Sequence, residues 1–325
     1  MTTENMHFDQ QDADYYKSVT RCDANESIFF ARQLEHVKSQ TYDIKYPNLS
    51  ALNLFPIDTS AGPGAKTITY RQYDTVGMAK VIANYSSDLP RADVVAKEFT
   101  SNIRGIGDSY GYDVQEIRYA SMTGTSLESR KASAARRAHD QKINALAWAG
   151  DADHGLPGFL TNANIPGYTV TADGAGGGGS SKLFANKTAD QIIRDVNGII
   201  NQVLTQSKGV HSANEVWMPI AQYAYISSLP RSTGSDQTVL QFLQANNPGV
   251  TFKRVLELDN AMSSGTLDTM VAIENSIENI QLNIPMPFMQ HAPQQKGLAF
   301  EVPCESRFGG VTITFPLAVA LADSI

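Results

Sequence analysis

Residues 55–94 read FPIDTSAGPGAKTITYRQYDTVGMAKVIANYSSDLPRADV. Ile68, Tyr70 and Gln72 alternate with Thr67, Thr69 and Arg71. The pattern resumes at Val76, Met78, Lys80 and Ile82, with glycines at Gly62, Gly64 and Gly77. A period of two with glycines between the runs predicts extended strands joined as a hairpin. Two arms of about 12–15 residues, at about 3.3 Å each, project roughly 40–50 Å. A ribbon of that length, half polar and short of apolar bulk, is barely stable alone in water. Two readings fit it equally: it leans on something outside its own domain, or it folds back onto its own sheet.

On the N-terminal side, residues 1–23 are polar and acidic without periodicity and read as a flexible arm. The stretch ESIFFARQLEHVKSQTYD offers a short amphipathic helix through Ile28, Phe29, Leu34 and Val37. On the C-terminal side, VVAKEFTSNIRGIGDSYGYD reads as a strand running into a Gly/Tyr turn, and DVQEIRYASMTG as a short helix.

Residues 126–149 carry the strongest helical pattern. Ser126 stands at the N-cap, Gly150 at the stop, and Leu127, Lys131, Ala134, Ala135, Ala138, Lys142, Ala145, Leu146 and Ala149 are predicted to form one stripe. At about 1.5 Å per residue it is roughly 35 Å long. Arg130, Lys131, Arg136, Arg137 and Lys142 make it locally basic. They form either a solvated face paired with Glu128 and Asp140 or a surface for an acidic neighbouring subunit.

Where this helix stops, NALAWAGDADHGLPGFLTNANIP (144–166) brings Asp151, Asp153 and His154 together. A metal needs three or four converging ligands. These three follow a helix C-terminus, whose partial negative charge disfavours carboxylates, so a turn with Asx-type hydrogen bonds is expected in place of a metal site.

Further on, TADGAGGGGSS is a glycine loop with no GKS or GKT after it, hence no phosphate cradle. TADQIIRDVNGIINQVLTQS predicts a helix capped by Thr188 with Gln191 closing the capping box. Its buried face is Ile192, Ile193, Val196, Ile199, Ile200, Val203 and Leu204. NEVWMPI reads as a strand, AQYAYISSL and DQTVLQFLQANNPG as helices, and VTFKRVLEL, TMVAIEN and several segments between Ile280 and Leu321 as strands. Helices and strands alternate without a βαβ rhythm, so the class is α+β.

The totals are those of an ordinary globular chain: 325 residues, 42% hydrophobic, long enough for one large domain or two lobes. Against 33 acidic residues stand 26 basic ones, a net charge of −7, which argues against a dedicated surface for nucleic-acid phosphates. Cys22 and Cys304 lack metal-ligand spacing and read as reduced thiols. No signal-peptide pattern opens the chain. The apolar run GVTITFPLAVALA, interrupted by Pro316, is too short for a membrane helix and reads as a buried strand. His7, His36, His139, His154, His211 and His291 are isolated, and neither HExxH nor GxSxG occurs.

Four stretches together resemble the major capsid proteins of tailed double-stranded DNA phages, with the Hong-Kong-type fold that encapsulins share. They are PGAKTITYRQYDTVGMAKVIANYSSDLPRADV, YGYDVQEIRYASMTGTSL, RKASAARRAHDQKINALAWAGDADHGLPGFLTNANIP and the strand-rich C-terminal tail. The resemblance runs from about residue 25 to the end. It implies an N-arm over residues 1–54, an extended loop over 55–95, and a peripheral domain over 96–189 with its spine helix at 126–149. An axial domain over about 190–280 and C-terminal strands over 281–325 returning to the peripheral domain complete the expected layout. It also implies a structural subunit and not an enzyme: no catalytic residue, no metal and no cofactor.

The expected partners are copies of itself in pentamers and hexamers, a separate scaffolding protein, since the arm leaves no room for a built-in one, a possible decoration protein, and packaged double-stranded DNA held without sequence-specific binding. No membrane partner is expected. The expected location is the virion, after assembly in the host cytoplasm. Some relatives cross-link a lysine to an asparagine; Lys66 and Lys80 lie on the loop, but nothing identifies a partner asparagine, and no cross-link is assigned. An encapsulin-like compartment shell and a metal-dependent enzyme using Asp151, Asp153 and His154 are the alternatives.

Overall fold

The computed structural model describes residues 46–80, 91–123, 127–175, 178–232, 234–261, 267–323 and 325. The proposed helix around Ile28–Val37, Cys22 and the cap at Ser126 lie outside them. The chain divides into two units, Met1–Asn48 and Leu49–Ile325; the second is described here.

Element order is α1 (Ala51–Leu54), β1 (Ile57–Asp58), β2 (Thr67–Val76), β3 (Asp93–Asn102), β4 (Arg104–Asp113), α2 (Val114–Thr123), α3 (Leu127–Ala149) and β5 (Gly167–Tyr168). There follow α4 (Ala189–Gln206), β6 (Glu215–Met218), α5 (Ile220–Ser228), α6 (Val239–Asn246), β7 (Thr251–Arg254), β8 (Thr269–Ile273) and β9 (Ile280–Asn283). The chain closes with β10 (Met286–Gln290), β11 (Gln294–Lys296), β12 (Ala299–Phe308), β13 (Val311–Ile313) and β14 (Val319–Asp323). The α+β class follows directly.

A five-stranded mixed sheet, β5-β14-β8-β6-β7, lies between two hydrophobic cores. Period-two alternation sorts its side chains. Val216, Met218, Met270, Ala272, Ala320 and Ala322 enter one core; Trp217, Val271, Ile273, Val319 and Leu321 enter the other. With both faces covered, β8 is buried at every position, which is why Met270 to Ile273 are all apolar.

Helix α4 covers the first face with Ile192, Ile193, Val196, Ile199, Ile200 and Val203, each worth about 1.5–3 kcal/mol when fully buried. The Thr188–Gln191 capping box is present in both directions. Leu204, expected on the buried face, is 45% exposed.

The glycine loop is tied to this helix by charge. Lys187 and Asp195 are fully buried side chains in contact, and the Lys187 ammonium also donates to the Thr171 carbonyl at 2.7 Å. Arg194 reaches Asp195 at 2.8 Å and Asp173 at 2.6 Å. Replacing Lys187 by methionine leaves the Asp195 carboxylate buried with only the half-exposed Arg194 beside it. Breaking such a pair costs about 3–5 kcal/mol, and a clear drop in the thermal midpoint of the purified subunit is the expected measurement.

The second core joins the long helix to the sheet. Phe55, Trp148, Phe159 and Trp217 form an aromatic cluster with centroid separations from 5.2 to 6.0 Å. Polar groups of α3 in this region are satisfied: Asn144 accepts from the Ala51 N–H at 2.9 Å and donates to Glu257 at 2.7 Å.

The buried stripe of α3 differs from the predicted one. Ala135, His139, Ile143, Leu146 and Ala147 are buried, while Ala134, Ala138, Lys142, Ala145 and Ala149 are exposed. Helix α3 packs on a four-stranded sheet in which β12 lies between β10 and β11 on one side and β4 on the other. His139 sits there with its Nδ1 2.8 Å from the Ser306 hydroxyl and its ring edge-on to Phe288.

Of the strands after residue 280, β9 and β13 pair with each other, with β1 beside β9; β10 to β12 join β4; and β14 lies in the five-stranded sheet. Cys304 is buried and free. Among the described residues no helix is long and apolar enough to cross a membrane.

Candidate assembly surface

Strands β2 and β3 pair in a continuous ten-residue register, Thr67 with Asn102 through Val76 with Asp93, and among the described residues join no other sheet. At about 3.3 Å per residue the paired part is some 30 Å long. The second arm is therefore 93–102. Gly77–Lys80, expected to continue an arm, have left the ladder; Val81 to Pro90 lie outside the described residues.

The base of the ribbon is anchored. The Ile103 N–H donates to the Lys66 carbonyl at 2.9 Å, Arg307 hydrogen-bonds the Pro63 carbonyl, and Ile68 packs closely over Gly309. Cross-strand pairs hold the middle: Tyr70 stacks on Phe99 at 5.1 Å, Thr69 meets Thr100 at 2.9 Å, and Arg71 pairs with Glu98 at 2.7 Å. Outward from there support ends. Every residue from Tyr73 to Lys80 and from Arg91 to Glu98 is exposed. Tyr73 is 64% exposed, Val95 56% and Met78 81%. The reading in which the hairpin folds onto its own sheet is not what the structure holds.

The turn after α3 is held by Asx-type and backbone hydrogen bonds. The Asp151 carboxylate accepts the His154 N–H at 3.2 Å and lies 2.8 Å from His154 Nδ1. Asp151 and Leu156 exchange two backbone hydrogen bonds of 2.9 Å. The last turn of a helix leaves carbonyls without partners. Here the returning chain supplies them, Phe159 N–H to the Ala147 carbonyl at 2.8 Å and Leu160 N–H to Trp148 at 3.0 Å.

Bringing the chain back so closely requires Gly150, at φ +71°, and Gly158: a Cβ on Gly158 would stand 2.3 Å from the Gly150 nitrogen. Asp153 joins this turn through its backbone N–H, which also donates to the Asp151 carboxylate. Among the described residues no three His, Cys, Asp or Glu side chains converge as a metal site.

On the basic helix, Lys131 donates to Glu116 at 2.9 Å and to the Gly111 carbonyl at 2.8 Å. Arg130, Arg136 and Lys142 are exposed. Several carboxyls are held below their ordinary values: Asp151 by its hydrogen bond from His154, Asp173 by Arg194, Glu116 by Lys131, Glu301 by Lys296. Depressed folded-state values mean that these groups lend stability above the ordinary carboxylate range. That stability is lost as pH falls through the folded values. Progressive unfolding of the subunit below about pH 4, followed by circular dichroism, is the expected outcome, with Asp173→Asn flattening part of that acid limb.

What remains is an anchored arm carrying exposed apolar side chains. The family model described as "Major capsid protein" matches residues 77–325. The chain belongs to the major capsid protein family.

Solved structures agree on the fold. The capsid of Myoviridae phage XM1 is similar with a TM-score of 0.77 at 20% identity, over 91% of this chain and 98% of that one. Mycobacterium phage Bobi gives 0.63 at 14% identity, over 93% and 98%. The capsid of the native GTA particle gives 0.63 at 9%, over 93% and 99%. No curated protein matches.

This major capsid protein therefore has the Hong-Kong-type phage capsid fold and a structural role in a virion capsid, where its kind self-associates. The long helix α3 and the first arm of the ribbon are the parts of this fold legible in the sequence. The edge of β4 was missed, because Gly105, Gly107 and Gly111 read as a turn.

Proposed function

We propose that this chain closes into an icosahedral phage head around double-stranded DNA, with the ribbon of each subunit lying over its neighbour. The observation that carries this reading is the outer half of the ribbon, whose apolar side chains have no cover among the described residues. Burial between copies supplies that cover, and many modest contacts repeated by symmetry add to a stable closed shell.

In this reading α3 and the β4–β12 sheet form the peripheral domain. The five-stranded sheet with α4, α5 and α6 forms the axial domain, clustered in pentamers and hexamers. Strand β14 is assigned to the axial domain, which revises the expected boundary at residue 281. The exposed cations of α3 face acidic surface on a neighbouring subunit. The net charge of −7 suits a wall that does not grip DNA. The chain acts without catalysis, with a separate scaffolding protein and in the host cytoplasm before DNA enters.

Electron microscopy of the purified protein, alone and with a candidate scaffold, tests the proposal. Shells, rings of five or six, or tubes are expected; a protein that stays monomeric under every assembly condition overturns it.

A further inference from the structure

Among the described residues, strand β4 has a strand neighbour on one side only. Ser109 stands opposite Pro303, which has no N–H, and the Pro303 carbonyl accepts from His291 on the far side at 2.9 Å. Backbone groups alternate sides along a strand. Ser109, and with it Gly105, Gly107, Gly111 and Asp113, thus aims its N–H and C=O away from β12, at a free edge.

Part of that edge is already blunted. Asp108 accepts the Ser109 N–H at 2.7 Å, Lys131 donates to the Gly111 carbonyl at 2.8 Å, and the Asp113 N–H donates to Glu116 at 3.3 Å. Gly105 and Gly107 remain, with no side chain to shield them. A Cβ at Gly105 would meet nothing within 4 Å, and one at Gly107 only the Cys304 carbonyl oxygen at 4.0 Å. An open edge of this kind is a template for another strand.

The flanking charges select which strand. Arg104 and Asp108 are both exposed and lie two residues either side of Ile106. Arg104 Nε donates to the His154 carbonyl at 3.1 Å, leaving the two terminal guanidinium nitrogens for a carboxylate. Asp108 uses one oxygen on Ser109 and has the other to offer. A second β4 laid antiparallel with a two-fold axis at Ile106 sets Gly105 opposite Gly107 and Arg104 opposite Asp108, twice over. Moving the axis to Gly107 sets Ile106 against Asp108; moving it to Asp108 sets two carboxylates together.

We infer that the β4 edges of two copies pair across a local two-fold axis at Ile106, joined by backbone bonds at Gly105 and Gly107 and by reciprocal Arg104–Asp108 ion pairs. The inference rests on the self-association proposed above and adds a specific isologous contact to it.

The test uses full chains carrying Cys22→Ser, one with Gly105→Cys and the other with Gly107→Cys, assembled separately or mixed and then oxidised. Directly opposed residues in such a pair lie about 5.5 Å apart at Cα, inside the roughly 4.4–6.8 Å range of disulfides. A covalent dimer is expected in the mixture and absent from either chain alone. Adding Asp108→Arg to both chains is expected to abolish that dimer, and adding Arg104→Asp as well to restore it. Shells or oligomers without the mixed dimer overturn the edge contact and leave the capsid reading standing; chains that never associate overturn both.

Discussion

Replacing Gly158 by valine is expected to prevent recovery of a folded subunit. The added Cβ would lie 2.3 Å from the Gly150 nitrogen and 2.5 Å from the Ala149 carbonyl carbon, both backbone atoms with nowhere to go. Relief requires moving the returning strand off the helix end. That breaks the bonds from Phe159 and Leu160 to the last carbonyls of α3 and lifts Phe159 out of the aromatic cluster. Overpacking alone costs about 1–3 kcal/mol where side chains yield. A backbone clash with lost caps exceeds that, against a total stability of about 5–15 kcal/mol. Soluble yield and denaturant melts of the unassembled chain measure it. Gly62→Ala, with nothing within 4 Å, serves as the control and should stay within about 0.5 kcal/mol of the parent. A Gly158→Val chain that melts like the parent would falsify this account of the turn.

The second large effect separates assembly from folding. A double variant Met78→Asp, Val95→Asp places two charges on the unsupported half of the ribbon. Both side chains are exposed in the subunit, 81% and 56%, so the melt should shift by less than about 1 kcal/mol. On the proposed packing of the ribbon over a neighbour, the same charges are buried without partners, at a cost of several kcal/mol per site. With that cost repeated at every subunit, closed particles should vanish from sedimentation profiles while the monomer keeps its circular dichroism spectrum. Wild-type levels of shells from this variant would show that the ribbon contributes nothing to the contact.

These two expectations differ in how far sequence alone reaches them. The α4 helix was legible because its signals are local: Thr188 and Gln191 three apart, then a strong apolar face. The first arm of the ribbon was legible for the same reason. Its second arm was misplaced, since alternation continues through Met78 and Lys80 while pairing is decided by Asp93–Asn102, far along the chain.

Helix α3 was found with its end correct and its face wrong. Alanines give almost no directional signal, and the polar residues it buries, His139 and Asn144, find Ser306, Glu257 and the Ala51 N–H only once the chain has folded. Glycines misled in β4, where a bare outer face tolerates them within a ten-residue strand. The close approach of Gly150 and Gly158 left only the stop at Gly150 to read. Which surface stays uncovered in the subunit is a tertiary property, and pattern alone left it at two alternatives.

The place of β14 has a consequence in time. It lies between β5 and β8, inside the five-stranded sheet and not at its rim, and Ile325 is buried in the adjoining core. During synthesis, β5 and β8 emerge from the ribosome long before residues 319–323 exist to bridge them. A nascent chain cannot complete this lobe early and join a growing lattice half made. Interrupted translation products lack the keystone, and so the order of translation itself screens which chains become building blocks.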